Sequence, residues 1–490
     1  MTDKYKEDSI PKTIARYSSS KFYRHITRAV NAFIRPKLLE PELYGFWNLI
    51  GLLLFYSSYS HLGSRDTIRY LVPYYNGKGE YDKSLQIKGS VFYGSFYINI
   101  IISFALIVYT LTGHMETTVR LGLLTLSALS IINWYSDFYS VHIQSNQNFR
   151  LLTSKNYLES TVSLLLSAIL LYFFNIYGLY LSITVSGIIV IIYLRVNYSL
   201  ETHYRFNFHI FLDSIKRGFP IIIFSFSFVL IRTADRIIIS SFLGNKMLGF
   251  YGIAVALFDF IMQIPGSSRE VLEPKLMQSL SKYTVEENLT NYFFKPLYNT
   301  AYLIPLLIGP IFFVLPPFIH LLLPKYIPGI LSAQIIVFGV YFFGLTYITR
   351  GIIVANGWQL KLLNITFPIL LLNAIMSIIL IKKGFGIQGV AVSSNISYFI
   401  LFISVMVFIL KKHNYKAKEG ITTILSLFWP FPIMCGTIIL LNNITKIIQL
   451  NAYLASALNI LFYCIIMLFV FNYAKKRYPF LRDLNLKEII

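Results

Sequence analysis

Residues 21–37 read KFYRHITRAVNAFIRPK. The stretch carries five Lys or Arg, one His and no acid, yet it stands where a chain this apolar should make its first membrane crossing. Of the 490 residues, 56% are hydrophobic, 17% aromatic and 13% charged, with a mean hydropathy of +0.61. That is far from the average soluble composition. A helix needs about 20 mostly apolar residues to cross the hydrocarbon core, and blocks of that length recur almost to the C-terminus. The composition predicts an all-α polytopic membrane protein with no soluble domain. The opening MTDKYKEDSI mixes charge signs around no apolar core, so a cleaved signal peptide is not expected and the spans themselves direct insertion.

Fourteen spans are predicted, near residues 14–36, 44–66, 89–112, 117–140, 151–174, 177–196, 217–241, 247–268, 294–317, 328–350, 361–381, 386–410, 421–441 and 451–474. Most of the basic residues between spans fall on one side of this pattern. Lys411, Lys412, Lys416 and Lys418 lie in one such loop, and Lys475, Lys476 and Arg477 in the tail. Positively charged loops stay in the cytoplasm, so both termini are expected there, in a cell inner (cytoplasmic) membrane. The same distribution accounts for the net charge of +21 without nucleic acid, which would call for a soluble basic face. Cys435 and Cys464 stand alone in late apolar blocks, so neither a disulfide framework nor a metal site is expected. No cofactor is implied.

One internal offset stands out, 204 residues. Gly45-Phe46-Trp47 aligns with Gly249-Phe250-Tyr251, Arg65-Asp66 with Arg269-Glu270, Asn31 with Asp235 and Arg28 with Arg232. The expected organisation is a first six-span lobe over residues 1–210 and a second over 211–415. Two extra helices and a basic cytoplasmic tail occupy 416–490. An even number of spans per copy gives both copies the same orientation, related by an axis along the membrane normal. Span 7, GFPIIIFSFSFVLIRTADRIII, is plainly apolar, and the repeat makes residues 14–36 its counterpart. The cationic segment is therefore read as a span.

At 100° per residue, Lys21, Arg24, Arg28, Asn31 and Arg35 share about a quarter of the helix circumference, with His25 beside them. Each buried Lys or Arg costs about 2.5–3.5 kcal/mol at the bilayer centre, so this face should meet a hydrated central cavity rather than lipid. Arg232, Asp235 and Arg236 are expected to face the same cavity from the equivalent helix, with Asp235 neutralising a neighbour. The competing reading of residues 21–37 is an amphipathic helix lying on the inner leaflet, and that of the second trio is a structural ion pair. Guanidinium groups donate paired hydrogen bonds to phosphate oxygens, so the two stripes together suit a pyrophosphate. Asp137 and Asp259 are either proton or sodium sites coupling transport to a gradient or counter-charges to arginines, the latter favoured. Arg65, Asp66, Arg269 and Glu270 are either interfacial charges or a cytoplasmic gate of ion pairs.

PELYGFWNLI at 41–50 and ADRIIISSFLGNKMLGFYGIA at 234–254 carry a family resemblance, strongest over residues 38–79 and 219–283. The chain resembles polysaccharide transporters of the multidrug, oligosaccharidyl-lipid and polysaccharide exporter superfamily, and within them Wzx-type flippases of O-antigen or capsule units. The resemblance implies a V-shaped bundle that moves a polyprenyl-pyrophosphate-linked oligosaccharide from the inner to the outer leaflet by alternating access. It implies as partners that lipid-linked substrate, membrane lipids, H+ or Na+ as coupling ion, and other polysaccharide assembly proteins. In the lipid II flippases a last pair of helices forms a groove for the lipid tail, and spans 13 and 14 would take that place. The first span here is more basic than the family pattern. A multidrug antiporter of the same superfamily is the alternative, but cationic drugs call for acidic cavity residues. A polysaccharide polymerase or ligase would need a long outward loop, and the outward loops are short. No nucleophile, base and orienting group come together in the sequence, so an enzyme is not expected.

Overall fold

The computed structural model describes residues 10–145, 148–199, 206–266, 268, 269, 272, 276, 289–478 and 481. All regular structure among them is helical. The helices are α1 (Ile10–Leu38), α2 (Pro41–Ser57), α3 (Ser64–Gly77), α4 (Tyr81–Thr112), α5 (Thr117–Ser145), α6 (Phe149–Asn197) and α7 (Phe208–Ile261). A π-helical turn, Thr290–Phe294, leads into α8 (Lys295–Leu322). There follow α9 (Ile330–Ala355), α10 (Gln359–Lys382), α11 (Gly386–Lys412), α12 (Ala417–Phe428), α13 (Pro430–Ile447) and α14 (Ala452–Arg477). Among the described residues the predicted spans fall mostly on helix, span 2 being the main exception. Nine helical stretches among the described residues are long and apolar enough to cross a membrane by themselves.

Two of the long helices reverse direction. In α6 the break is at Asn175, with φ 54° and ψ −139°, outside the left-handed helical region that asparagine favours. A Cβ on Gly178 would meet the Leu170 carbonyl oxygen at 1.8 Å, a proximity that only a folded-back chain produces. In α7 the break is at Gly244, with φ 83° and ψ 172°, a conformation open essentially to glycine alone. Contacts divide the chain into Met1–Phe226 and Ser227–Ile490, with the boundary inside α7.

In the first unit, α6 packs against both α1 and α5. Its contact with α1 is a ladder of polar pairs. Ser19 and Tyr157 hydroxyls meet at 2.9 Å, Tyr23 and Thr161 at 2.9 Å, Asn156 donates to Ser20 at 3.1 Å, and Ser167 donates to Asn31 at 3.2 Å. Positions advance together on both helices, so they run parallel over residues 19–31, about 18 Å at 1.5 Å per residue. The helix alongside α1 belongs to a stretch, Phe149–Asn197, that is long and apolar enough to cross a membrane. A helix lying flat on the leaflet could not make this ladder. The opposite requirement, a lipid-compatible face, is met by Phe22, Ile26 and Val30, all exposed.

Predicted span 2, read as one helix over 44–66, is corrected. α2 ends at Ser57, the chain turns through 58–63, and α3 begins at Ser64. Leu62 and Gly63 have positive φ, 49° and 88°, and Gly63 lies against the backbone of Gly218. The His61 ring accepts from the Gly63 N–H at 3.1 Å, satisfying a donor the break exposes. Span 13 lies on one membrane-length stretch, Ala417–Ile447, whose two helices α12 and α13 meet at Trp429 before Pro430, because proline cannot donate to the preceding turn.

The order of helices from α7 onward repeats the first. The break at Glu40 between α1 and α2 has its counterpart 204 residues later at Gly244, and the turn beginning at Ser58 has its counterpart at Met262. α8, α9, α10 and α11 then answer α4, α5 and the two arms of α6. In the second unit α14 packs along α8, where the Tyr463 hydroxyl donates to the Pro305 carbonyl at 2.7 Å. Spans 13 and 14 are thereby joined to the unit they follow.

Candidate functional site

The cationic stripe of α1 lies across from its exposed apolar face, as the 100° spacing requires. Its neighbours come from the first arm of α6. Arg24 Nη1 is 3.5 Å from Asn156 Oδ1. Lys155 donates to Ser140 at 2.9 Å and lies 3.5 Å from a Glu159 carboxylate oxygen. Glu159 also interacts electrostatically with Arg24 and Arg28. Arg28 is exposed, Lys21 and His25 are partly buried, and Lys21 Nζ rests 4.9 Å over the Tyr17 ring. Arg35 is spent differently, stacked 5.5 Å from the Trp47 ring. Glu159 is thus a carboxylate shared by Lys155, Arg24 and Arg28.

The second constellation lies on both arms of α7, which the reversal at Gly244 brings together. Arg232 Nη1 is 3.4 Å from Asp259 Oδ1, and Arg236 Nη2 is 3.9 Å from Asp259 Oδ2. The charge of Asp235 acts on Arg236 and Arg232, while its short hydrogen bonds go elsewhere. Its Oδ2 accepts from the Tyr251 hydroxyl and its Oδ1 from the Arg236 backbone N–H, each at 2.7 Å. Asp235 is 4% exposed and Tyr251 fully buried, so this acid is locked into the packing. A small cavity beside the pair is lined by Arg232, Asp235, Arg236, Tyr251 and Tyr398.

The remaining sequence candidates separate. Arg65 pairs with Asp137 at 3.0 Å across α3 and α5. Asp66 occupies the first turn of α3, where a carboxylate suits the positive end of the helix dipole. Arg269 lies 4.5 Å over the Tyr347 ring, and Arg350 is 5.3 Å from the same ring. Glu270 lies outside the described residues. Among the described residues no three His, Cys, Asp or Glu gather to hold a metal ion. Sequence reasoning passed over Lys155, Asn156, Glu159, Tyr251 and Arg350. The i, i+4 pair Lys155 and Glu159 inside a span was a usable signal, and Tyr251 stood within the repeat motif itself.

Residues 17–274, more than half of the chain, match the polysaccharide biosynthesis protein family. The chain belongs to that family. No match is found among curated proteins by sequence. Among solved structures, this polysaccharide biosynthesis protein superposes on a lipid II flippase MurJ in an inward closed conformation with a TM-score of 0.67 at 15% identity. That match covers 93% of this chain and 98% of the other. An inward-facing multidrug resistance MATE transporter of the MOP superfamily gives 0.60 at 12% identity, covering 85% and 98%. A MOP superfamily transporter from Pyrococcus furiosus, described as having a binding pocket of reversed polarity, gives 0.55 at 13% identity, covering 85% and 96%. At these identities the likeness is one of fold. The polysaccharide biosynthesis protein thus has the fold of membrane transporters and flippases.

Proposed function

We propose that this protein is a flippase that carries a polyprenyl-pyrophosphate-linked oligosaccharide from the cytoplasmic to the outer leaflet by alternating access. Its setting is a cell inner membrane with both termini in the cytoplasm, and its moving parts are the lobes over residues 1–210 and 211–415. The observation that carries the reading is the pair Arg232 and Arg236, turned toward the Asp259 carboxylate on the opposite arm of α7. Charges at this depth are costly and mark ligand paths, and two guanidinium forks match the oxygens of a pyrophosphate. Arg24 and Arg28, with Glu159 beside them, would add a second cationic group on the equivalent helix. Membership of a polysaccharide biosynthesis family and a fold shared with a lipid II flippase favour a lipid-linked sugar over a cationic drug.

The test is export of a lipid-linked oligosaccharide, normalised to protein abundance in the membrane. Arg28→Ala or Arg232→Ala should nearly abolish it, Lys should restore part and Gln little, because Lys keeps the charge without the paired donors. Full export by both Arg232→Lys and Arg232→Gln would overturn the reading for α7, and the same result at Arg28 would overturn it for α1.

A further inference from the structure

We propose that Asp259 sets the charge that an anion must carry to enter the arginine pair. It holds Arg232 and Arg236 against singly charged phosphodiester headgroups and yields them to a doubly charged pyrophosphate. The inference rests on the reading of this pair as a pyrophosphate site.

Asp235 and Asp259 adjoin the pair, and they are built differently. Asp235 is buried and held by two hydrogen bonds of 2.7 Å. The Asp259 side chain is 45% exposed with its Oδ1 buried, and its contacts of 3.4 and 3.9 Å exceed the roughly 2.7–2.9 Å of a charge-assisted hydrogen bond. Its attraction to the arginines is Coulombic and not locked by geometry, so the carboxylate can swing away while Asp235 stays. Each oxygen faces a different guanidinium, which is the arrangement one phosphate group would adopt there. Asp259 is thus an internal anion of one charge.

Any visiting anion competes with it. A bilayer presents phosphodiester headgroups in great excess, some carrying one net negative charge. Exchanging one single charge for another gains little and still requires the headgroup to be desolvated. A pyrophosphate brings a second charge and more acceptor oxygens, so its interaction with two guanidinium groups outweighs the carboxylate's. The acid is particular to this half of the chain. At the offset of 204 residues Arg28 answers Arg232, but Phe55 stands where Asp259 would be answered.

The experiment measures binding of inorganic pyrophosphate by calorimetry to the purified full chain in two kinds of lipid nanodisc. One is phosphatidylcholine alone and the other an equal mixture with phosphatidylglycerol. Wild type should change by less than about twofold between the two lipids. Asp259→Asn should bind about tenfold tighter in phosphatidylcholine, the loss of one close competitor, and should lose about tenfold when phosphatidylglycerol is present. Asp259→Glu, which keeps the charge, should behave as wild type, and Asp259→Ala replaces the Asn variant if that does not fold. Equal indifference to phosphatidylglycerol in wild type and the neutral variant overturns the selector role and leaves the pyrophosphate site standing. A variant with both Arg232→Gln and Arg236→Gln that binds pyrophosphate as wild type does would instead overturn the site itself.

Discussion

A Cβ placed on Gly218 would lie 2.0 Å from the carbonyl oxygen of Gly63, because the backbones of α7 and of the turn before α3 touch there. Gly63 has φ 88° as well, so two constraints meet in one residue. Gly218→Ala should destabilise the protein by about 1–3 kcal/mol through overpacking. Gly63→Ala should cost more, since a side chain there adds backbone strain. Thermal unfolding of the purified variants in detergent reads both, and unchanged midpoints would mean that the contact does not persist in the isolated protein.

The pair Arg65 and Asp137, 3.0 Å apart, joins α3 to α5. Arg65→Asp and Asp137→Arg should each lower export, and the exchanged double variant should recover a part corresponding to a coupling of about 0.5–3 kcal/mol. Strict additivity of the two losses would make the residues independent.

Tyr251→Phe deletes the hydroxyl that donates to Asp235 Oδ2 at 2.7 Å. A buried carboxylate deprived of a donor costs about 1–3 kcal/mol, so the melting temperature should fall. Adding Asp235→Asn to Tyr251→Phe should return part of the loss, because an amide needs less solvation than a carboxylate. A double variant less stable than Tyr251→Phe would show that the Asp235 charge itself is required, by its field on Arg232 and Arg236.

The orientation inferred from the loop charges is read by labelling. Single cysteines at Lys78, Lys416 and Lys487 should be shielded from an impermeant thiol reagent added outside intact cells. Cysteines at Met247 and Lys325 should react. Reaction at both Lys416 and Lys487 would reverse the orientation and the proposed direction of export.

Helix class, span order and the repeat were legible in the sequence, because each depends on a local property. Apolar length sets where a helix can cross, and the recurrence of Arg28, Gly45 and Arg65 at one offset as Arg232, Gly249 and Arg269 is visible without coordinates. The cationic face of α1 was legible for the same reason, since spacing along one helix determines which residues share a side. Which acid each arginine meets was not. Glu159 lies on a helix more than a hundred residues from Arg24, and Asp259 takes the pair from Asp235 only because Gly244 folds α7 back on itself and Tyr251 engages Asp235 first. The turn at 58–63 lies in the polar run SSYSHLGS, but what fixes it there is the contact of Gly63 with the Gly218 backbone, which comes from tertiary packing. Periodicity determined the faces of the helices, while the choice of partner across those faces came from tertiary packing, which sequence spacing does not encode.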